Sequence, residues 1–261
     1  MANLHAITKS EFTKKSWKRH TDYFFSANDS VCVLGASELP RAAMGMPLAF
    51  VPADGEYSIV GVQGLQQGTN FFVNAEGKWM GNYIPAAYRG YPFFLADNTS
   101  NKEGQVLCIE TDSGLLIDDE TEEPFYDEDL EPCKAISDIV DFLSKVNTAR
   151  QASDRICKIL SGHGLLKPWE IEFELVNATQ KIGGLFCIDE AALNRLADDA
   201  YAELRMAGAI PFIYCQLLSM QRISDLTLLA QKKSKVDFLP QSNQLNFDEV
   251  NADDIISFDN L

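Results

Sequence analysis

Residues 84–96 read IPAAYRGYPFFLA, and residues 39–51 read LPRAAMGMPLAFV. Set one above the other, they share the pattern P-x-A-x-x-G-x-P followed by apolar residues. Pro40 matches Pro85, Ala42 matches Ala87, Gly45 matches Gly90 and Pro47 matches Pro92. Each shared position has a mechanical role. The first Pro presets the φ of a helical first turn. Ala adds helix propensity without bulk. Gly takes the left-handed turn that ends a short helix. The second Pro stops the helix and holds the residue before it extended. The pattern predicts one helical turn delivered straight into a strand, and it predicts this twice.

The segments around the two frames are β-rich. VCVLGA (31–36) is a short apolar run bounded by Gly35, and PLAFVPADGEYSIVGVQ (47–63) places two strands around an Asp54-Gly55 turn. NFFVNAEGKWMG (70–81) predicts a further hairpin turned at Gly77, and FFLAD (93–97) and QVLCIE (105–110) read as two more strands. FFVNAEGKW (71–79) is echoed by PFYDEDLEP (124–132), in which aromatic residues again precede a polar turn. Two tandem turn–strand–strand units are therefore expected, at about 37–82 and 83–131.

Beyond residue 131 the period changes. From Pro132 to Leu160 the apolar residues fall at helical spacing, with Pro132 suited to a first helical position and Gly162 to the stop. WEIEFEL (169–175) alternates with period 2 and is expected to pair with IGGLFCI (182–188). Asp189 reads as an N-cap. A helix near 198–207 ends at Gly208, and another begins near Pro211 and runs to about Leu229. The run MAGAIPFIYC (206–215) reads as a core helix and is too short to span a bilayer. The expected fold class is α+β, with a β-rich N-terminal half and a helical C-terminal half carrying a β-hairpin. The expected organisation is a loose basic arm (1–30), one domain (31–230) and a flexible acidic tail (231–261).

The net charge is −16 over 261 residues, a field that repels phosphate backbones, so no nucleic-acid partner is expected. No apolar h-region follows the basic N-terminus, so a cytoplasmic location is the default expectation. Cysteines 32, 108, 133, 157, 187 and 215 lack any CxxC spacing and are expected as free, buried thiols. Residues 111–131 hold ten acidic side chains and no basic one. The segment fails the EF-hand pattern at Leu130 and Glu131, so it reads as a solvated loop with no metal. No G-x-G-x-x-G, Walker A or G-x-S-x-G motif occurs, and no cofactor is expected.

The candidate site is the aromatic–arginine block of the second frame. Trp79, Tyr83, Tyr88 and Tyr91 could stack on a planar small-molecule ligand, with Arg89 as an anion anchor; Arg41 is the cation of the first frame. The alternative is that the aromatics pack a joint while Arg89 keeps only its head in water.

Several stretches together carry a resemblance. They are ELPRAAMGMPLAFV, NFFVNAEGKWMGNYIPAAYRGYPF, LCIETDSGLL, FYDEDLEP, GLLKPWEIEF, GGLFCIDEAALNRL and AGAIPFIYCQLLSMQ, in order over about residues 30–222. The chain resembles the bacterial SapC family. Leu130 departs from it, standing where Gly is expected in the acidic turn. The family's name comes from a gene linked to a paracrystalline surface layer. Its members also resemble proteins encoded near flavin-dependent halogenase-like enzymes and outer-membrane receptors. The resemblance implies a non-enzymatic accessory protein with a protein partner, associated with the cell surface or such a gene cluster. It brings no catalytic residues. An unrelated peptide-transport permease shares the name, and the lack of a membrane span separates this chain from it.

Overall fold

The structure, a computed structural model, describes residues 3–53, 55–97, 104–175 and 178–237. Asp54 of the expected first turn and the acidic tail beyond Asp237 lie outside these residues. The protein is α+β, strand-rich before residue 131 and mainly helical after it.

The N-terminal segment contributes β1 (Leu4–Ala6), α1 (Lys9–Phe12) and β2 (Ser16–Trp17), followed by β3 (Val31–Val33). The first frame forms α2 (Leu39–Ala42), β4 (Leu48–Ala53) and β5 (Glu56–Val62). The second forms α3 (Ala86–Arg89), β6 (Phe93–Asp97) and β7 (Gln105–Glu110), and β8 (Leu116–Ile117) and β9 (Glu123–Pro124) follow. Each frame is thus a helical turn feeding an antiparallel hairpin, as its prolines predict. The glycines behave differently from expectation. Gly90 has φ −84°, and Gly45 is not left-handed either. They permit close approach instead. A Cβ on Gly90 would stand 2.7 Å from Leu143 Cδ2, and one on Gly45 would stand 3.3 Å from Tyr83 Cβ.

The two hairpins enter different sheets. β4 and β5 lie within the order β10-β13-β4-β5-β3, whereas β6 and β7 continue to β1. One long helix spans both. It is α4 (Lys134–Gly162), whose 29 residues extend about 43 Å. Near its start, Ile136 and Leu143 pack with Phe12, Trp17, Phe93, Ile109 and Phe125. Near its end, Ile156, Cys157 and Leu160 join the larger core around Leu48, Phe50 and Ile59. Burying each such side chain stabilises by roughly 1.5–3 kcal/mol, so the helix ties the two hairpins into one body. Pro132, expected at its first turn, instead bridges to Tyr126, and Cys133 is the N-cap. The helix runs through Gly162, and the left-handed turn falls at Gly164.

The expected loose arm is built into this body. β1 pairs with β7, β2 lies between β8 and β9, and Phe12 and Trp17 are core residues. The basic residues of this segment meet the acidic loop: Lys9 pairs with Glu131, Lys15 with Asp118 and Arg19 with Glu123. These are exposed pairs, each worth at most about 1 kcal/mol, so apolar burial rather than charge holds the segment.

The expected hairpin at 70–81 is a single bridge, Val73 with Trp79, around a tight turn. Asn74 Oδ1 accepts the Glu76 and Lys78 amides, and Gly77 is left-handed at φ +75°. The turn at 126–132 has the same form. Asp127 Oδ1 accepts the Asp129 and Glu131 amides, Tyr126 bridges to Pro132, and Leu130 takes the left-handed place at φ +61°. The sequence echo between these segments is therefore an echo of backbone.

After α4 come β10 (Leu166–Pro168), β11 (Ile171–Leu175), β12 (Ala178–Ile182) and β13 (Phe186–Ile188). The hairpin turns earlier than expected: β11 pairs with β12, and β13 pairs with β10. Then follow α5 (Glu190–Leu193), capped by Asp189 as predicted, and α6 (Asp198–Met206), ended by left-handed Gly208. The last helical segment is two helices, α7 (Ala209–Ser219) and α8 (Ile223–Asp237), so residues 231–237 of the expected tail are helical.

Candidate functional site

Glu38 is the buried residue that joins the two frames. It ends the short turn before α2, where burial of a lone carboxylate would be costly. Here it is fully occupied. Oε1 accepts the Gly35 amide at 2.8 Å; Oε2 accepts the Tyr83 hydroxyl at 2.6 Å and the Ala86 amide at 2.9 Å. The last bond caps α3 from the first frame. Arg89, on the final turn of α3, donates to the Tyr83 hydroxyl oxygen at 3.4 Å. Its guanidinium lies 5.9 Å from the Tyr83 ring centroid and 5.3 Å from that of Phe142 on α4. Arg89 is exposed and has no carboxylate partner among the described residues.

Tyr88 points the other way, into the body. Its hydroxyl lies 2.8 Å from Gln63 Oε1 and 3.0 Å from Asp29 Oδ2, either of which accepts its one proton. Asn70 Nδ2 donates to Gln63 Oε1 as well, which fixes how the Gln63 amide is turned. Gln63 Nε2 has no partner among the described residues. Trp79 stacks on Phe72 at 5.2 Å and donates to the Tyr83 carbonyl at 2.8 Å. Tyr91 stacks on Phe25 at 3.8 Å, and its carbonyl accepts from His20 Nδ1 at 3.0 Å.

Trp79, Tyr83, Tyr88, Arg89 and Tyr91 are thus brought together, while Arg41 sits apart on α2, exposed. The structure adds Asp29, Glu38, Gln63, His20 and Phe25. None of these belongs to the aromatic–arginine block; they arrive through tertiary packing. Desolvation pushes the Tyr83 and Tyr88 phenols well above the ordinary tyrosine range, with the Glu38 carboxylate adding to the effect at Tyr83. Tyr91 is pushed up to about 12, chiefly by burial. Cys32, beside Tyr88, is raised to about 12 for the same reason. These groups stay protonated near neutrality and act as fixed donors and packing surfaces.

A second feature lies on α7. Its inner face carries Phe212 and Ile213 into the larger core. Two polar residues of that face stitch the helix to the sheet. Gln216 accepts the Ile188 amide and donates to the Leu48 carbonyl, and Ser219 accepts the Leu48 amide. The helix is a core helix on its inner face, as expected, but the outer face is also apolar. Tyr214 is 53% exposed and Leu218 65%, and Met44, just after α2, is 69% exposed. Pro40, Ala43, Met44, Cys215 and Leu218 line a groove of about 620 Å³ together with Arg222 and Asp225, which are ion-paired at 3.0 Å.

Among the described residues, no cluster of three His, Cys, Asp or Glu side chains could hold a metal ion. No described helix is long and apolar enough to cross a membrane. All six cysteines are free; four are buried, while Cys133 and Cys215 are partly exposed.

No curated protein and no solved structure matches the chain. A model of the SapC family matches residues 7–226, which cover both frames, the Glu38 network, α4 and α7. The chain therefore belongs to the SapC family.

Proposed function

We propose that this protein is a non-enzymatic accessory protein that acts by binding another protein, in surface-layer biogenesis or alongside a halogenase-like enzyme or outer-membrane receptor. The observation that carries this reading is the outer face of α7. Tyr214 and Leu218 stand one turn apart on it, and Met44 faces the same groove. A helix that is apolar on both faces in water calls for cover. Of the cations at the groove, Arg222 at its wall is ion-paired with Asp225 at 3.0 Å, while Arg41, next to Pro40 in sequence, is exposed. Its partner is a protein segment with apolar residues flanked by acidic ones. The test is affinity capture from a bacterial lysate with the wild type, Leu218→Asp and Arg89→Ala. A protein held by the wild type and Arg89→Ala, and lost with Leu218→Asp, supports the reading. Capture that is indifferent to Leu218 sinks it.

A second reading makes the aromatic–arginine block a ligand site. It is favoured by Arg89, an unpaired cation held against two rings. Titration calorimetry with an aromatic carboxylate would show heat for the wild type and none for Arg89→Ala; absence of heat in both refutes it.

A further inference from the structure

We infer that the acidic C-terminal segment of this chain, residues 238–261, is itself an occupant of the α2–α7 groove and shields it. The inference rests on the groove being a docking surface for apolar, acid-flanked segments, and it adds that the first such segment is carried by the protein. Two observations point there.

The chemistry is complementary. The segment holds Asp248, Glu249, Asp253, Asp254 and Asp259, no Lys or Arg, and single hydrophobes between them, including Phe247, Val250, Ile255 and Phe258. The groove offers Met44, Cys215 and Leu218 to the hydrophobes; Arg222 at its wall is ion-paired with Asp225 at 3.0 Å, so Arg41, exposed and next to Pro40 in sequence, is the cation offered to the acids. Arg41 has no carboxylate partner among the described residues.

The reach is sufficient. The groove is lined by Gln221, Arg222, Ser224 and Asp225, at the start of α8, and α8 ends at Asp237. The chain therefore leaves the helix about 18 Å from the groove, at a rise of about 1.5 Å per residue. About six extended residues return that distance at roughly 3.3 Å each. Of the 24 residues that follow Asp237, most are left to lie in the groove. Tethering supplies a millimolar effective concentration, so a weak contact suffices.

The segment also lies beyond the family match, which ends at residue 226, within α8.

Cys215 lines the groove and is a reporter already in place; Cys133, at the start of α4, is an internal control. Alkylation of each cysteine is followed by peptide mass spectrometry in the full chain and in a chain ending at Asp237. The expected result is a rise of about fivefold or more in the Cys215 rate on truncation, with Cys133 unchanged. A synthetic 238–261 peptide added to the truncated protein restores protection, less so at high salt, and fails to do so in the truncated Leu218→Asp variant. Leu218 is exposed, so that variant is expected to fold, which its melting temperature checks. Equal Cys215 rates in the two chains overturn the proposal. So does protection by the peptide that survives Leu218→Asp, since the segment then binds elsewhere. Lysate capture by the truncated protein, lost with Leu218→Asp, stands independently. It upholds the docking surface even where the tail proves not to occupy it.

Discussion

The two Pro–Ala–Gly–Pro frames share a backbone plan and differ in what surrounds them. The first, with α2 and the β4–β5 hairpin, feeds the large sheet and leaves Arg41 and Met44 at the surface. The second, with α3 and the β6–β7 hairpin, presses Gly90 onto Leu143 of α4 and buries Tyr88. The first frame gives the second its helix cap through Glu38. The difference teaches that a duplicated local device is free to serve different ends, because the device sets only backbone direction. The side chains between the shared positions decide whether a frame faces a neighbour or solvent.

The comparison can be broken at its joint. Glu38→Ala leaves the Gly35 and Ala86 amides and the Tyr83 hydroxyl unpaired, and is expected to cost about 3–5 kcal/mol in urea unfolding. A cost under about 1 kcal/mol would mean the frames are held independently. The sister turns offer a finer test. Gly77→Ala places a Cβ 2.7 Å from the Phe24 ring and 2.8 Å from Asp22 Cβ in a left-handed residue, for a loss of about 2–3 kcal/mol. Tyr88→Phe removes the hydroxyl from Gln63 and Asp29 and should cost about 1–2 kcal/mol, whereas Arg89→Ala, at the surface, should cost less than about 1 kcal/mol. Equal losses for these two would erase the distinction between the inward and outward sides of the second frame. The smallest effect has the opposite sign. Leu130→Gly relieves a left-handed leucine and should stabilise by about 0.5–1 kcal/mol, seen as a rise of a few degrees or less in Tm. No gain there would show that the two turns are alike in outline only.

Much of the secondary structure was legible because its causes are local. The frame prolines, the Asp189 cap and the stop at Gly208 act on their own few residues. The readings that failed were those that depend on distant partners. The frame pattern predicts turn-forming glycines, but Gly90 and Gly45 instead admit Leu143 and Tyr83, residues remote in sequence. The basic composition of the N-terminal segment suggests a loose arm, whereas Phe12 and Trp17 are what bury it. Of the site, the aromatic–arginine block was visible as a run of residue types, and its members do meet. Arg41 was grouped with them by sequence echo alone and stands apart. Glu38 heads one of the stretches that carry the resemblance, yet nothing marks it, Asp29 or Gln63 as a partner of Tyr83 or Tyr88, since a hydrogen-bond acceptor supplied from another segment has no fixed spacing to its donor.

The sequence by itself determined the duplicated turn–strand device, the change from strand to helix near residue 131, and membership of the SapC family. Proline and glycine restrict φ and ψ residue by residue, and a periodic apolar face declares its element without reference to a partner. Only the tertiary structure decided that the second frame turns its tyrosine inward onto Gln63 and its arginine outward onto Phe142. It alone showed that α7 is apolar on the side left to solvent. Both depend on which surfaces meet after collapse, and burial is a property of the assembled layers rather than of any segment within them.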